Sequence, residues 1–260
     1  MTPLFLKNIE LYNRIRNLKQ AYNQVKINSQ FEKECKQEFT ILKKQSLNKE
    51  RFKFDWDDRW LWNDKTEYTG FDTHYVYHLA WATRILKKTN PTVHCDIGSY
   101  LYFPTMLSAF YPVEFYDYRP ANVFLDNLKC LRGDLLNLEF NNDSVSSLSC
   151  MHVLDHPGLG RYGDPLDYDG DIKAIKELQR VLARGGNFLY VVPIGKPKIK
   201  FNASRIFSYK QTLEYFNELE LVEFSLIPDN AYETGIIHNA TEELADKQDY
   251  GCGCFWFTKK

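Results

Sequence analysis

The sequence predicts an α/β fold, in which a mostly parallel β-sheet is covered by helices and preceded by a helical N-terminal extension. Three observations indicate it. A chain of 260 residues with 44% hydrophobic side chains can bury a sizeable core. From Thr92 onward, short apolar runs alternate with helical patterns, as is typical of parallel sheets. The first fifty residues contain no glycine and show helical periodicity instead.

The strands of this sheet are predicted from short apolar runs bounded by turn residues. They cover 92–97, 113–117, 128–131, 145–151, 187–193, 220–227 and 254–258. We therefore expect seven strands.

A helix before the first strand is predicted from apolar residues that recur every three or four positions. Its buried face is formed by Tyr75, Leu79, Ala82 and Leu86. The pattern runs to Lys88, and Asn90-Pro91 closes it.

The helix before the fifth strand has the clearest periodicity in the chain. Its buried face is formed by Ile172, Ile175, Leu178 and Leu182. We expect Asp169 or Asp171 to cap its start and Gly185-Gly186 to end it. A further helix is predicted from Tyr209 to Asn217.

The N-terminal extension, residues 1–51, carries eleven basic and five acidic side chains. Its amphipathic stripe is formed by Leu4, Leu11, Ile15, Leu18, Tyr22 and Val25. Two roles are open: a solvated basic face on a helix that packs on its own domain, or a surface for a homodimer or a polyanionic partner. Residues 52–91 are assigned to a connecting segment and its helix, and residues 92–260 to the main domain.

Composition and charge exclude several classes of protein. A net charge of −1 gives no general attraction to nucleic acids or anionic membranes. The longest uncharged run, Ile97–Val113, has 17 residues and is interrupted by prolines, so we predict no membrane span. The N-terminus lacks a secretory pattern, and the cytoplasm is the expected compartment. Six dispersed cysteines are expected to be reduced, and Cys252 and Cys254 have no second pair nearby, so no metal site is predicted.

The residues that follow the strands are the candidates for ligand binding, because open parallel sheets bind ligands at the carboxyl ends of their strands. Asp96 and Gly98 end the first strand, where the glycine permits a tight turn and close approach of a ligand. Asp117 ends the second strand, twenty-one residues after Asp96. That separation suits a carboxylate that accepts both hydroxyls of an adenosine ribose. A cap or turn role is the structural alternative for each.

Two further segments carry a family resemblance. They are LRGDLLNLEFNNDSVSSLSCMHVLDH and KELQRVLARGGNFLYVVPIG. In order and spacing they resemble the core of class I S-adenosylmethionine-dependent methyltransferases, over roughly residues 92–227. The resemblance implies a Rossmann-like methyltransferase fold with a seven-stranded sheet and an antiparallel last strand. It also implies that Asp134 faces the adenine amino group.

A narrower resemblance rests on FDTHYVYHLAW, HVLDHPGLGRYGDPLD and VPIGKPKIKFNASRIFS, together with the C-terminal CFWFTKK. These segments are similar to an uncharacterised bacterial branch of the same fold that is associated with surface-polysaccharide biosynthesis. The resemblance implies a sugar or a nucleotide-linked sugar as acceptor.

The S-adenosyl-L-methionine site implied by the resemblance lies after the first four strands. Its predicted residues are Asp96, Gly98, Ser99, Tyr100, Asp117, Tyr118, Arg119, Asp134, Leu135 and Met151. The family's first loop usually reads G-x-G-x-G, whereas Tyr100 and Tyr102 occupy the second and third glycine positions here. We expect these rings to narrow the space above the methionine and the ribose.

The acceptor side is expected in the glycine-rich segment after the fourth strand. A hydroxyl acceptor must lose its proton in the transition state, and a histidine is the usual base. His156 is the first candidate and His152 the second, with Asp155 as the carboxylate that orients the ring. The predicted acceptor contacts are Arg161, Tyr162, Asp164, His74 and Tyr75. Local capping and packing are the structural alternatives for all of these residues. His152, Asp155 and His156 could instead hold a divalent ion together with the downstream aspartates Asp164, Asp167, Asp169 and Asp171, although aspartates near a loop are more often turn and cap residues.

The sequence therefore predicts an S-adenosylmethionine-dependent O-methyltransferase, with a pH profile that rises in the ordinary histidine range. Two other classes stay open. One is a non-catalytic methyltransferase-like subunit in which Tyr100 closes the cofactor site. The other is a nicotinamide-dependent Rossmann enzyme, which the missing G-x-G-x-x-G disfavours.

Overall fold

The computed structural model describes residues 28–46, 52, 53 and 55–260, and the chain divides into two compact units, Met1–Gly70 and Phe71–Lys260. In the first unit, residues 28–45 are helical (α1), and a 3-10 turn follows at Trp56–Asp58. The rings of Phe39 and Trp56 meet edge to face, 5.2 Å apart. The predicted stripe from Leu4 to Val25 lies outside the described residues, so its role in a dimer stays a prediction.

The second unit is built on an eight-stranded sheet whose order is β3-β2-β1-β4-β5-β10-β8-β9. Its strands are β1 (His94–Ile97), β2 (Val113–Asp117), β3 (Leu128–Arg132), β4 (Val145–Met151), β5 (Leu182–Ile194), β8 (Leu219–Ile227), β9 (Ile237–His238) and β10 (Gly251–Lys259). β10 runs antiparallel between β5 and β8. The predicted mostly parallel sheet with an antiparallel last strand is thus confirmed. A separate hairpin pairs β6 (Lys198–Lys200) with β7 (Ser204–Ile206).

The prediction of seven strands was wrong, because the described part of the sheet contains the short edge strand β9 as well. β9 pairs antiparallel with β8, His238 opposite Ser225 and Ile237 opposite Leu226. A strand of two residues is too short to show the alternation by which strands are found in a sequence.

Helices cover both faces of the sheet. They are α2 (Thr73–Thr89), α3 (Tyr102–Leu107), α4 (Gly170–Val181), α5 (Tyr209–Tyr215), α6 (Ala231–Thr234) and α7 (Glu242–Asp246). The helix predicted before the first strand is confirmed as α2. The Asp72 carboxylate caps its start by accepting from the Tyr75 amide, and Asn90 ends it in the left-handed conformation.

The predicted end of α4 at Gly185-Gly186 was wrong. The helix ends at Val181, and Leu182 already pairs with Val145 as the first residue of β5. The glycine pair lies inside β5 at a register shift, where Gly185 adopts φ +71°. Glycine tolerates this conformation in a bulge as well as at a helix end, so the pair is ambiguous in sequence. At the start of α4, Asp169 holds the cap position without a side-chain hydrogen bond.

The core consists of two apolar layers, one on each face of the sheet. One layer packs α4 against alternate residues of β5 and β10, including Phe188, Tyr190 and Phe255. The other packs α2 and α3 against the intervening residues, including Leu189 and Trp256. Because neighbouring residues of β5 and β10 enter opposite layers, both strands read as continuous apolar runs.

We expect Phe188→Ala to lower the free energy of unfolding by about 3–5 kcal/mol, because it leaves a cavity in a fully buried layer. Urea denaturation monitored by circular dichroism measures this. Phe110→Ala is the matched control, since that ring is 76% exposed, and we expect it to change the free energy by less than about 0.5 kcal/mol. Equal effects of the two substitutions would contradict the assignment of the core.

Candidate active site

Two adjoining cavities open at the carboxyl ends of β1, β2 and β4. The first cavity has a volume of about 430 Å³ and is lined by His74, Tyr75 and the residues after β4. The second has about 480 Å³ and extends over β2 and the segment after β3. Residues common to both linings are Gly98, Asp117, Arg119, His152, His156 and Tyr162. Their position is the one expected for a ligand of an open parallel sheet.

The turn after β1 is held from below by Asp96, which is fully buried. Its Oδ1 accepts from the Ser99 amide at 3.1 Å, and its Oδ2 accepts from the Ser149 hydroxyl. Burial raises the pKa of Asp96 to about 6. Asp96 lies beneath the cavities and is not among the residues that line them, whereas Ser99 lines the first cavity.

Gly98 forms the floor shared by the two cavities, with φ +66°. A Cβ added there would lie 3.2 Å from Cγ1 of Val153 and 3.9 Å from Oδ2 of Asp117. The position therefore favours glycine both for its backbone conformation and for space.

The predicted cofactor residues after β2 and β3 line the second cavity. Asp117 accepts from the Arg119 amide through Oδ1, at 2.7 Å, and no described residue hydrogen-bonds its Oδ2. The Asp134 carboxylate accepts from the Leu136 amide at 2.9 Å. Tyr118 and Leu135 complete this wall. Met151, the last residue of β4, lines the first cavity instead.

Tyr100 and Tyr102 leave the space over Gly98 open. Tyr100 is 48% exposed, and its ring packs 5.1 Å from that of Tyr75, at the wall of the first cavity. Tyr102 begins α3 and is 64% exposed. The expected narrowing therefore does not close the cavities, since both are lined by Gly98.

His152 lies at the centre of an aromatic cluster, in the left-handed conformation with φ +56°. Its ring stacks on His74 at 5.5 Å and meets His78 edge to face at 5.1 Å. Its Nε2 lies 3.4 Å from Sγ of Cys252. Burial lowers the pKa of His152 well below its ordinary value, so this ring is neutral at neutral pH.

His156 lines both cavities, and its ring orientation is fixed by the carbonyl of Ala203, 2.7 Å from Nδ1. Because a carbonyl only accepts, Nδ1 carries the proton, and the lone pair of the neutral ring is on Nε2, 3.4 Å from Nη1 of Arg161. Burial lowers the pKa of His156 to about 4, and the nearby Arg161 guanidinium acts in the same direction. The hydrogen bond to Ala203 raises this pKa, but by less than burial lowers it. Asp155 Oδ2 lies 3.5 Å from Nδ1.

Asp155 is an unusual buried acid, with 1% exposure and no hydrogen-bond partner for Oδ1 among the described residues. Burial raises its pKa to about 7. The group is thus poised to change charge near neutral pH, directly beside His156.

Two guanidinium groups lie over the Tyr162 ring, that of Arg119 at 4.6 Å and that of Arg161 at 5.2 Å. Within the described residues, neither forms an ion pair with a carboxylate. The Asp164 carboxylate accepts from the amides of Tyr162 and Gly158 at 3.1 and 2.8 Å. It therefore holds together the glycine-rich loop, residues 158–164.

Sequence reasoning missed three residues of this region. Arg205, at 5% exposure, donates to the Pro157 carbonyl at 2.6 Å and so holds the start of the glycine-rich loop. Tyr250 stacks on His74 at 5.5 Å, and Cys252 lies below His152. No local pattern marks them, because they reach the site only through contacts between segments that are far apart in the sequence.

Comparison with known proteins gives the class of fold. Residues 134–225 match the family model described as Caenorhabditis protein of unknown function, DUF268. No curated protein sequence matches the chain.

Three bacterial structures are among the similar solved ones. The Burkholderia thailandensis 1,6-didemethyltoxoflavin-N1-methyltransferase, solved with 1,6-didemethyltoxoflavin and S-adenosylhomocysteine, has a TM-score of 0.50 at 14% identity, over 70% of this chain and 78% of that one. A Bacillus halodurans structure described as a methyltransferase has a TM-score of 0.49 at 12% identity, over 69% of this chain and 97% of that one. The Bradyrhizobium japonicum N-methyltransferase NodS, solved with S-adenosylhomocysteine, has a TM-score of 0.47 at 12% identity, over 70% of this chain and 85% of that one. The sheet order and the similarity to the first of these structures show that the chain has a Rossmann-like fold of the kind found in this methyltransferase.

We expect Asp164→Asn to loosen the glycine-rich loop, because the charged acceptor that the Gly158, Gly160 and Tyr162 amides share is replaced by a neutral one. Hydrogen exchange at these amides should become at least several-fold faster. Asp169→Asn is the matched control, since Asp169 is exposed and its side chain makes no cap hydrogen bond. Unchanged exchange in the first variant would show that Asp164 does not hold the loop.

Proposed function

We propose that this protein is an S-adenosylmethionine-dependent O-methyltransferase that acts on a sugar or nucleotide-linked sugar of a bacterial surface polysaccharide. One observation carries the proposal: the second cavity, with the carboxylates of Asp117 and Asp134, joins the first cavity over Gly98, and His156 lines both. On this proposal the second cavity would hold the nucleotide and the first cavity the acceptor, with six lining residues common to both.

The described side chains fit the cofactor. The free Oδ2 of Asp117 would accept from the ribose hydroxyls, and Asp134 with Leu135 would flank the adenine in the second cavity. The open floor at Gly98 would back the methionine portion. Further contacts are expected from Ser99, Tyr100, Tyr118, Arg119 and Met151.

When bound, S-adenosylmethionine supplies a sulfonium-activated methyl group for in-line transfer. The protein's part is to position the acceptor and to take its proton. Nδ1 of His156 donates to the Ala203 carbonyl, so Nε2 carries the lone pair that would accept the proton. Nη1 of Arg161, 3.4 Å from Nε2, would have to turn away from it when the acceptor binds. The ionised form of Asp155, 3.5 Å from Nδ1, would stabilise the imidazolium that forms.

An acidic group on the acceptor is favoured by the charges at the opening. Arg119 and Arg161 reach the Tyr162 ring without a carboxylate partner in the described part of the chain. Guanidinium groups bind phosphate bidentately, and the aromatic ring offers a face to the apolar side of a sugar. A sugar that carries a phosphate or nucleotide satisfies both. The polysaccharide assignment itself rests on the segments FDTHYVYHLAW and HVLDHPGLGRYGDPLD.

The proposed setting is the cytoplasm, with a small-molecule or saccharide acceptor as the main partner and a homodimer through residues 1–51 as a further possibility. All six cysteines are free thiols, which supports a reducing compartment. None of the helices in the described part of the chain combines the length and the apolar character that crossing a bilayer requires.

We expect Asp117→Ala to weaken S-adenosylmethionine binding at least several-fold, because unpaired ribose hydroxyls cost about 1–3 kcal/mol. Isothermal titration calorimetry measures the affinity. Asp126→Ala is the control, since Asp126 is exposed and lines neither cavity. Equal affinities of the two folded variants would sink the ribose assignment, and no binding by the unaltered protein would favour the non-catalytic alternative.

We expect His156→Asn to lower turnover by at least about 10²-fold while sparing cofactor affinity, since the asparagine amide can still donate to Ala203. Thermal melting checks that the fold is kept. A capping role predicts the reverse, with stability lost first and activity falling only in proportion.

The pH dependence follows from the lowered pKa of His156, about 4. The base must be unprotonated, so kcat/KM should rise as the pH increases through about 4 and should show no histidine limb near 6.5. The sequence predicted that kcat/KM rises in the ordinary histidine range. The structure moves this rise to lower pH, because burial and Arg161 disfavour the imidazolium. Asp155, with a pKa of about 7, can itself add a limb near neutral pH, which should be lost in Asp155→Asn. An ascending limb near 6.5 that remains in Asp155→Asn but vanishes in His156→Asn would contradict the buried, neutral ring.

A further inference from the structure

Three side chains with affinity for transition metals meet at the edge of the first cavity. They come from separate elements: His74 from α2, His152 from the turn after β4, and Cys252 from β10. One donor atom of each lies within 4.8 Å of the other two. The sequence predicted no metal, because Cys252 has no histidine near it along the chain.

The spacing fits tetrahedral zinc. With Zn–N near 2.0 Å and Zn–S near 2.3 Å, a tetrahedral angle separates a nitrogen from a sulfur by about 3.5 Å. Nε2 of His152 lies 3.4 Å from Sγ of Cys252. The His74 donor atom lies within 4.8 Å of the other two, so it must move by up to about 1.5 Å to reach the same arrangement. Its ring is parallel to that of His152 within 8° and must also turn, which the half-buried side chain in the first turn of α2 can do.

Neighbouring residues hold the three candidate ligands in place. The His74 ring stacks on those of His152 and Tyr250, each at 5.5 Å. The His152 ring is packed between those of His74, Tyr75 and His78. Cys252 is fixed by strand pairing on both sides, opposite Ile227 and Pro193.

We propose that His74, His152 and Cys252 bind one zinc ion, with the fourth coordination position open to the first cavity. The two histidines line that cavity, whereas Cys252 is fully buried beneath them. Three protein ligands with one open position are typical of catalytic zinc sites, and closed structural sites have four. The ligand chemistry, one thiolate and two imidazoles, favours zinc over magnesium or calcium.

In the proposed reaction the open position takes the hydroxyl oxygen of the acceptor, and this role rests on the proposed function. A zinc-bound hydroxyl has a lowered pKa, so a weak base such as His156 suffices to take its proton. The hydroxyl O–H bond breaks and its proton goes to Nε2 of His156. The oxygen forms the new O–C bond, and the S–C bond breaks with its electron pair left on sulfur.

Metal binding is tested first on the untagged full chain, stripped with a chelator and kept reduced. We expect one equivalent of Zn²⁺ per chain after dialysis, measured by elemental analysis. Co²⁺ in its place should give a thiolate-to-cobalt charge-transfer band and the intense visible bands of four-coordinate cobalt. No retained Zn²⁺, or a cobalt spectrum without the thiolate band, would overturn the proposal.

Variants then locate the site. Cys252→Ser and His74→Asn should each weaken Zn²⁺ at least tenfold, and Cys252→Ser should abolish the charge-transfer band. Cys150→Ser is the matched control, since that cysteine is equally buried but belongs to the layer on the other face of the sheet. His74→Asn keeps the test valid if Cys252→Ser does not fold. Unchanged Zn²⁺ affinity in a folded Cys252→Ser or His74→Asn protein would contradict the assignment.

S-adenosylmethionine titration of the same proteins separates the two proposals. Cofactor binding by a protein that retains no Zn²⁺ would overturn the zinc site and leave the methyltransferase proposal standing. Zn²⁺ retention without cofactor binding would support the zinc site and overturn the methyltransferase proposal. With both bound, removal of Zn²⁺ should lower kcat at least tenfold with little change in cofactor affinity, and unchanged kcat would exclude the role in acceptor activation.

Discussion

The arrangement of both cavities depends on the buried hydrogen-bond network around Asp96. The carboxylate holds the Ser99 amide on one oxygen and the Ser149 hydroxyl on the other, so it fixes the turn after β1 against β4. The His94 ring continues the network to Ser147 at 2.8 Å. Because these groups are sealed from water, a broken partner leaves an unpaired buried atom. The network thereby sets Gly98 and the residues after β4 in register.

Burial also decides the charge of the groups above this network. It lowers the pKa of His156 and His152 and raises that of Asp155, so the histidines are neutral and the acid titrates near pH 7. A neutral histidine can accept a proton but holds it weakly. The adjacent carboxylate offsets this, because its ionised form favours the imidazolium. A base of this kind suits an acceptor whose hydroxyl is already acidified or activated.

The sequence predicted those parts of the fold and the site that local patterns encode. Strands of four residues or more and the helix end at Asn90 produce such patterns, and so do the glycine and the carboxylates that follow the strands. The prediction that Gly185-Gly186 ends α4 was wrong, because a bulge and a helix end both favour a glycine with positive φ. The sequence did not reveal Arg205, Tyr250 and Cys252, because only tertiary contacts bring them to the site. Arg205 contacts Pro157, Tyr250 contacts His74 and Cys252 contacts His152, and no spacing along the chain indicates these contacts.

Tyr100 illustrates how one change from the usual glycine pattern can alter a site without closing it. Its ring leans on Tyr75 of α2, and Tyr75 in turn packs against His152 at 5.3 Å. Glycine at this position would leave α2 without that support, since Tyr75 begins its contacts at the first turn of the helix. The tyrosine thus ties the turn after β1 to the helix that carries His74. Through Tyr75, the ring of Tyr100 thereby also reaches His152 at the wall that both cavities share.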